Sequence, residues 1–245
     1  RVRTELTTGW QTADNSRERL TIADEREHVL FFLVEVIYEV IPAFYEEVEG
    51  ALAKVFGASV ADLRAPEMLR FGSWVGGDMD GHPDVHAKTI RESCHRHHQL
   101  IVNRYFQEVQ VLAEKLSQSE SRVRVSPQLN SRIEAYRSMV SGARASVPAS
   151  HDRMPYRVFL GQVAERLRAT YEGRSGQYDQ VGHFIADLQL VERSLADNRG
   201  REAGMFHVRR MLRRVRTFGF HLATLDVRQH ALMHREIVGG AFGDP

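Results

Sequence analysis

A seam of apolar residues recurs every three or four positions over a long stretch of this chain, and it constrains the fold more than any other feature. The seam runs through Ile90, Cys94, His97 or His98, Ile101, Tyr105, Val109, Leu112 and Leu116. Residues that are three and four apart lie on one face of an α-helix. The spacing therefore predicts a single long helix from about residue 84 to residue 116, with this seam as its apolar face.

Other segments show helical spacing and helix start signals. Residues 21–24 have the form of a capping box, ahead of a helix with a very wide apolar face. Pro42 is predicted to kink that helix or divide it in two. The arginine-rich run 209–214 is interpreted as a solvated helix face. Four further helices are predicted, beginning at Pro127 and Pro155 and covering residues 178–197 and 201–217. The sequence thus predicts a mainly α fold with a few short strands.

A strand-like run from Met68 to Val75 leads into a loop rich in glycine. Alternation along a strand places Arg70, Gly72 and Trp74 on one face. Glycine lets a ligand or another chain segment approach closely. The loop that follows contains Gly76, Gly77, Asp78, Asp80 and Gly81. An arginine and a tryptophan at the mouth of such a loop indicate a binding site, whose ligand the spacing does not identify.

A second short strand is predicted between Gly219 and Gln229. Alternation places Leu222, Thr224, Asp226 and Arg228 on one face of it. Asp226 and Arg228 either pair with each other or with Arg70 in a buried network, or form an anion site in which the guanidinium binds a phosphate or carboxylate. The residues themselves leave both alternatives open.

Composition narrows the class of protein. Charged residues make up 27% of the 245 residues and nearly cancel to a net charge of +1, which argues against nucleic acid and membrane-surface partners. A single cysteine fits a reducing compartment. The longest apolar run, 29–34, is too short to span a membrane. Because the chain starts at Arg1 without methionine, residues 1–245 are interpreted as one segment of a longer protein, incomplete at both ends.

Two patterns resemble metal sites, and neither is convincing. Asp78 and Asp80 are spaced like calcium ligands, but the position that requires glycine is Pro83 and the one that requires glutamate is Thr89. Cys94 and His98 share a helix face, yet Cys94 is predicted to lie on the apolar seam. The sequence therefore predicts no metal ligands within this segment.

Several motifs together resemble the phosphoenolpyruvate carboxylase family. Its Ser-Trp-Met-Gly-Gly-Asp-Arg-Asp-Gly-Asn-Pro pattern matches residues 73–83 except at Val75, Met79 and His82. Its Leu-Asp-Ile-Arg-Gln strand matches residues 225–229. Three weaker matches follow the same order, at residues 10–12, 155–158 and 187–195. The resemblance covers the whole chain and about a quarter of a full-length family member.

This resemblance implies an enzyme that joins bicarbonate to phosphoenolpyruvate, giving oxaloacetate and phosphate, with Mg or Mn as cofactor. It also implies helices around part of a β/α barrel, a homotetramer and a cytoplasmic location. Arg228 matches the arginine that holds the substrate phosphate, and Trp74 matches the tryptophan that lines the pocket around the substrate methylene. We further interpret Asp226 as orienting Arg228, and Asp78 and Asp80 as fixing the loop through nearby arginines.

The segment also lacks parts of the family pattern. Met79 replaces a common arginine, and Thr224 stands where some relatives have a basic residue. The family's catalytic histidine is expected upstream of Arg1 and its acidic metal ligands downstream of Pro245, so no catalytic residue is assigned here and the segment alone is expected to be inactive. Two alternatives stay open: a non-catalytic helical scaffold or regulatory relative of that enzyme, and an unrelated helical anion-binding domain.

Overall fold

The computed structural model describes residues 2–11, 20–57, 64–80, 84–140 and 153–243. Nearly all regular structure within these ranges is helical, as predicted. Two short strands, β1 (Gly72–Ser73) and β2 (Thr224–Leu225), pair in parallel. The helices are α1 (Val2–Gln11), α2 (Ile22–Phe56), α3 (Ala87–Lys115), α4 (Pro127–Met139), α5 (Pro155–Glu172), α6 (Val181–Asp197), α7 (Phe206–Phe218) and α8 (Ala231–Phe242). A β/α barrel remains a prediction, since the described residues contain only this strand pair.

The long helix α3 is confirmed, and it lies at the centre of the core. It packs along α5 and also contacts α7 and β2. Its buried positions follow steps of three and four through Thr89, Ser93, His97, Ile101, Tyr105, Val109 and Leu112. The prediction for Cys94 was wrong, because its side chain is exposed and Ser93 occupies the buried position. The buried face is rotated by one residue at this end of the helix.

Helix α2 begins with the predicted capping box. The Thr21 hydroxyl accepts a hydrogen bond from the Asp24 amide, and the Asp24 carboxylate accepts one from the Thr21 amide. Pro42 does not divide the helix. Instead, a π-helical stretch at Phe32–Ile37 precedes it, and helical structure continues to Phe56. Proline lacks the N–H that would bond to the residue four positions earlier, and wider turns are one way for a helix to accommodate such a defect.

By length and composition, α2 is the one helix in the described ranges that could cross a membrane. Core helices of globular proteins also meet these criteria. In this structure α2 buries Leu30, Tyr38, Ile41 and Tyr45 against the other helices. Its opposite side presents an exposed apolar stripe at Phe32, Val36, Val40 and Phe44.

The arginine-rich run on α7 is not the solvated face that its composition predicted. Arg214 is buried, and only about a tenth of the Arg213 side chain is exposed. The arginines pair with glutamates of α2 and α6: Arg209 with Glu192, Arg210 with Glu46, Arg213 with Glu49, and Arg214 with Glu39. One helix alone cannot reveal these partners, because the glutamates come from segments distant in sequence.

Both predicted strands are shorter than expected. Leu222 is buried and has a left-handed backbone (φ 61°), so it does not share a strand face with Thr224 as predicted. This turn redirects the chain between the end of α7 and β2. After β2, helix α8 has no buried residue among the described parts of the chain.

Candidate functional site

The two motifs singled out in the sequence lie side by side. Strand β1 pairs with β2 in the register Gly72 to Thr224 and Ser73 to Leu225. The pairing continues beyond the strands, because the Arg228 amide donates to the Gly77 carbonyl (3.0 Å) and the Met79 amide donates to the Arg228 carbonyl (2.8 Å). The glycine loop is therefore held along the segment that carries Asp226 and Arg228.

Two glycines of the loop are required by this close approach. A Cβ atom on Gly77 would lie 2.3 Å from the backbone oxygen of Asp226. Gly76 has a positive φ of 83°, and a Cβ there would lie 2.3 Å from the Ser93 hydroxyl on α3. Any larger residue would push the loop away from β2 or from α3. Gly81 lies outside the described residues.

Arg228 forms an ion pair with Asp78, with 3.3 Å between Nη1 and Oδ2. The other carboxylate oxygen of Asp78 accepts a hydrogen bond from the Asp80 amide at 3.2 Å. Asp78 thus joins the loop to the second strand, in line with the interpretation that it fixes the loop through an arginine. About 61% of the Arg228 side chain remains exposed, so its guanidinium is accessible to a ligand.

Asp226 does not pair with Arg228 or with Arg70. Among the described residues its carboxylate forms no ion pair, and one of its oxygens lies beside Gly72, 3.5 Å from where a Cβ would be. Neither Asp226 nor Arg228 is buried. The buried-network alternative is therefore wrong. A role for Asp226 in orienting Arg228 stays a prediction.

Trp74 is 61% exposed and follows β1 directly, in which Gly72 is exposed and Ser73 is buried. Exposure alternates along residues 70–74 in the predicted sense, although only Gly72 and Ser73 belong to a strand. The Trp74 carbonyl also accepts hydrogen bonds from the Gly77 and Asp78 amides (2.9 and 3.1 Å), which closes the turn that carries the loop.

Helix α3 anchors the segment that leads into β2, a role that the sequence reasoning missed. The Tyr105 hydroxyl donates to the Gly219 carbonyl, and the His98 Nδ1 donates to the Phe220 carbonyl, both at 2.9 Å. His97 approaches the Ala223 carbonyl at 3.4 Å, and its burial lowers the pKa of the imidazole. Polar groups within an apolar seam are a sign of such bonds, because buried polar atoms need partners.

The described residues do not form a metal site. Within them, no three His, Cys, Asp or Glu side chains are grouped so that they could hold an ion. His98 is engaged with a backbone carbonyl, and Asp78 is paired with Arg228. That the metal ligands lie elsewhere in a longer chain stays a prediction.

Comparison of the sequence with known proteins shows which family the chain resembles. The sequence profile of the phosphoenolpyruvate carboxylase family matches residues 1–242. A phosphoenolpyruvate carboxylase from Xanthomonas oryzae is 46% identical over 243 residues, covering 99% of this chain and 26% of the relative. Enzymes of the same name from Nitrosomonas europaea and Burkholderia mallei are 34% and 33% identical, covering 97% of this chain and 26% and 24% of the relatives. The chain thus spans about a quarter of the length of these curated relatives.

Proposed function

The chain belongs to the phosphoenolpyruvate carboxylase family, and we propose that the protein of which it is part carboxylates phosphoenolpyruvate with bicarbonate, giving oxaloacetate and phosphate. In this reaction a bicarbonate oxygen attacks the phosphorus, and the bond from phosphorus to the enol oxygen breaks. The products are carboxyphosphate and the enolate of pyruvate. Carboxyphosphate then releases carbon dioxide and phosphate, and the enolate carbon forms a bond to carbon dioxide.

The observation that carries the proposal is the parallel pairing of two distant motifs, which brings the segment with the exposed Arg228 guanidinium alongside the segment with the exposed Trp74 ring. A guanidinium has five N–H donors, and a single carboxylate such as Asp78 uses at most two of them. The remaining donors suit the oxygens of a phosphate, whose negative charge must be held and neutralised during phosphoryl transfer.

Trp74 has a different role in the proposal. An enolate is protonated by water and then lost, so the reaction needs an apolar wall beside the reacting carbon. We propose that the exposed indole ring of Trp74 supplies such a wall. The Asp78 ion pair and the close packing of Gly77 on Asp226 keep the loop that carries this wall at a fixed distance from Arg228.

The rest of the machinery is proposed to lie in the remainder of the longer protein. The family pattern includes a catalytic histidine and acidic ligands for Mg or Mn, and the described residues of this segment form no such metal cluster. The segment alone is therefore expected to be inactive. We also propose that the complete protein is cytoplasmic and homotetrameric.

The proposal is tested on the full-length protein by a bicarbonate-dependent oxaloacetate assay, with and without divalent metal. Arg228→Ala removes charge-assisted hydrogen bonds to the phosphate and should lower kcat/KM by roughly 10- to 150-fold. Arg235→Ala is the matched control, since Arg235 is exposed on α8 and forms no ion pair with the described residues. Full activity of Arg228→Ala would refute the role of this arginine. No oxaloacetate from the native full-length protein would favour a scaffold or regulatory relative.

A further inference from the structure

A second basic site lies between α3 and α7, and it shares no residue with the site around Arg228. The C-terminal half of α3 and the first turns of α7 enclose a cavity of about 450 Å³. This volume suits a ligand of metabolite size. We propose that the cavity binds a small organic anion with a phosphate or carboxylate head and an apolar body.

The lining of the cavity carries an excess of positive charge. Two carboxylates, of Glu39 and Glu108, face the four cations Arg104, Lys115, Arg210 and Arg214. Two of these cations are already neutralised within the fold, because Glu39 pairs with Arg104 and Arg214 while Glu108 pairs with Arg214. Arg210 is held by Glu46 of α2, with both nitrogen–oxygen distances at 2.7 Å.

Lys115 and His207 are the two basic groups of the lining that remain once the three arginines are paired with carboxylates. Within the described ranges, neither forms an ion pair or a hydrogen bond through its side chain. Burial and the nearby charges of Lys115 and Arg210 lower the pKa of His207, and Glu108 opposes them. The imidazole thus lies in a positive field, which an anion between His207 and Lys115 would relieve.

The cavity also has an apolar side, which distinguishes it from a site for an inorganic ion. Leu112 and Met211 form part of its lining. Val111 and Phe206 contribute side chains that remain 48% and 52% exposed. The Phe206 ring is held in place by the Arg210 guanidinium, 4.7 Å from its centroid. An organic anion would cover these apolar surfaces while its head contacts Lys115 and His207.

The test is isothermal titration calorimetry on the full-length protein with phenyl phosphate and with inorganic phosphate as probes. Every sample carries Arg228→Ala, so that heat from the first site is reduced. We expect phenyl phosphate to bind more tightly than inorganic phosphate, and Lys115→Ala or His207→Gln to weaken its binding by roughly tenfold or more. Lys88→Ala is the matched control, since Lys88 is exposed on the same helix and its ion pair among the described residues is with Glu92.

Two results would overturn the proposal. One is equal affinity of the parent, Lys115→Ala and His207→Gln proteins for phenyl phosphate. The other is no binding of phenyl phosphate at millimolar concentration. Circular dichroism and the thermal midpoint of each variant establish that it is folded, which is expected because Lys115 is exposed.

Discussion

The substitution Gly77→Ala tests how the glycine loop is held against β2. Gly77 has no side chain, and the loop backbone passes so close to β2 that an added Cβ would lie 2.3 Å from the Asp226 carbonyl oxygen. That oxygen belongs to the backbone and cannot rotate away. Ordinary contact begins at 3.4 Å, so the loop and β2 would have to separate by about 1 Å.

The free energy lost on this substitution follows from the backbone hydrogen bonds that the separation weakens. The two backbone hydrogen bonds of Arg228, to Gly77 (3.0 Å) and from Met79 (2.8 Å), each contribute about 0.5–1.5 kcal/mol. Overpacking by itself typically costs about 1–3 kcal/mol. Because these effects overlap, we expect a loss of about 2–4 kcal/mol in the free energy that holds the loop. The Arg228–Asp78 pair would lengthen from 3.3 Å, and kcat/KM would fall by roughly 10- to 100-fold.

The assay compares the thermal midpoint and kcat/KM for phosphoenolpyruvate in full-length variants. Gly50→Ala is the matched control, since Gly50 lies inside α2 with no atom within 4 Å of an added Cβ. That substitution should leave kcat/KM unchanged and stabilise the helix by about 0.5–1 kcal/mol. Wild-type midpoint and kcat/KM in Gly77→Ala would refute the steric reasoning.

Three other predictions concern the core and the site. Burial lowers the pKa of His97 below its ordinary value of 6.5, so in acid the imidazole is protonated more readily in the unfolded chain than in the folded one. The thermal midpoint should therefore fall as the pH drops below 6.5. His97→Gln should make the midpoint less dependent on pH. Asp187→Ala should cost about 3–5 kcal/mol in denaturant unfolding, because it leaves the buried Arg166 and two tyrosine hydroxyls without their carboxylate. Trp74→Ala should raise the KM for phosphoenolpyruvate with little change in thermal midpoint, since the ring is largely exposed.

Matched controls separate these effects from general damage. The controls for His97 and Asp187 are His95→Gln and Asp179→Ala, which change exposed residues of the same types. The control for Trp74 is Phe56→Ala, which changes another exposed aromatic residue. All three controls should be nearly neutral. An unchanged pH profile in His97→Gln would show that another group is responsible. An Asp187→Ala protein as stable as Asp179→Ala would mean that the buried network contributes nothing. A Trp74→Ala protein with the native KM would exclude a substrate wall at this position.

Helix positions could be read from the sequence to within a few residues. The long helix predicted from the apolar seam, the capping box at residues 21–24 and the starts at Pro127 and Pro155 rest on local signals, and each was confirmed, although the seam misplaced Cys94. Local signals suffice here because a helix forms its backbone hydrogen bonds within a single segment. The response of α2 to Pro42 could not be read this way, since a kink, a break and a π-helical stretch all accommodate the missing N–H.

The residues of the candidate site were also chosen from sequence, but their partners were not. The sequence placed Trp74 and Arg228 on strand faces, whereas only the tertiary structure decided that Asp78, and not Asp226, pairs with Arg228. The same holds for the arginines of α7, which composition assigned to solvent and the structure assigns to glutamates of α2 and α6. Ion pairs and the parallel pairing of β1 with β2 join segments that are far apart in the chain. Their geometry depends on how the helices between those segments pack, and the spacing of residues along one segment carries no information about that packing.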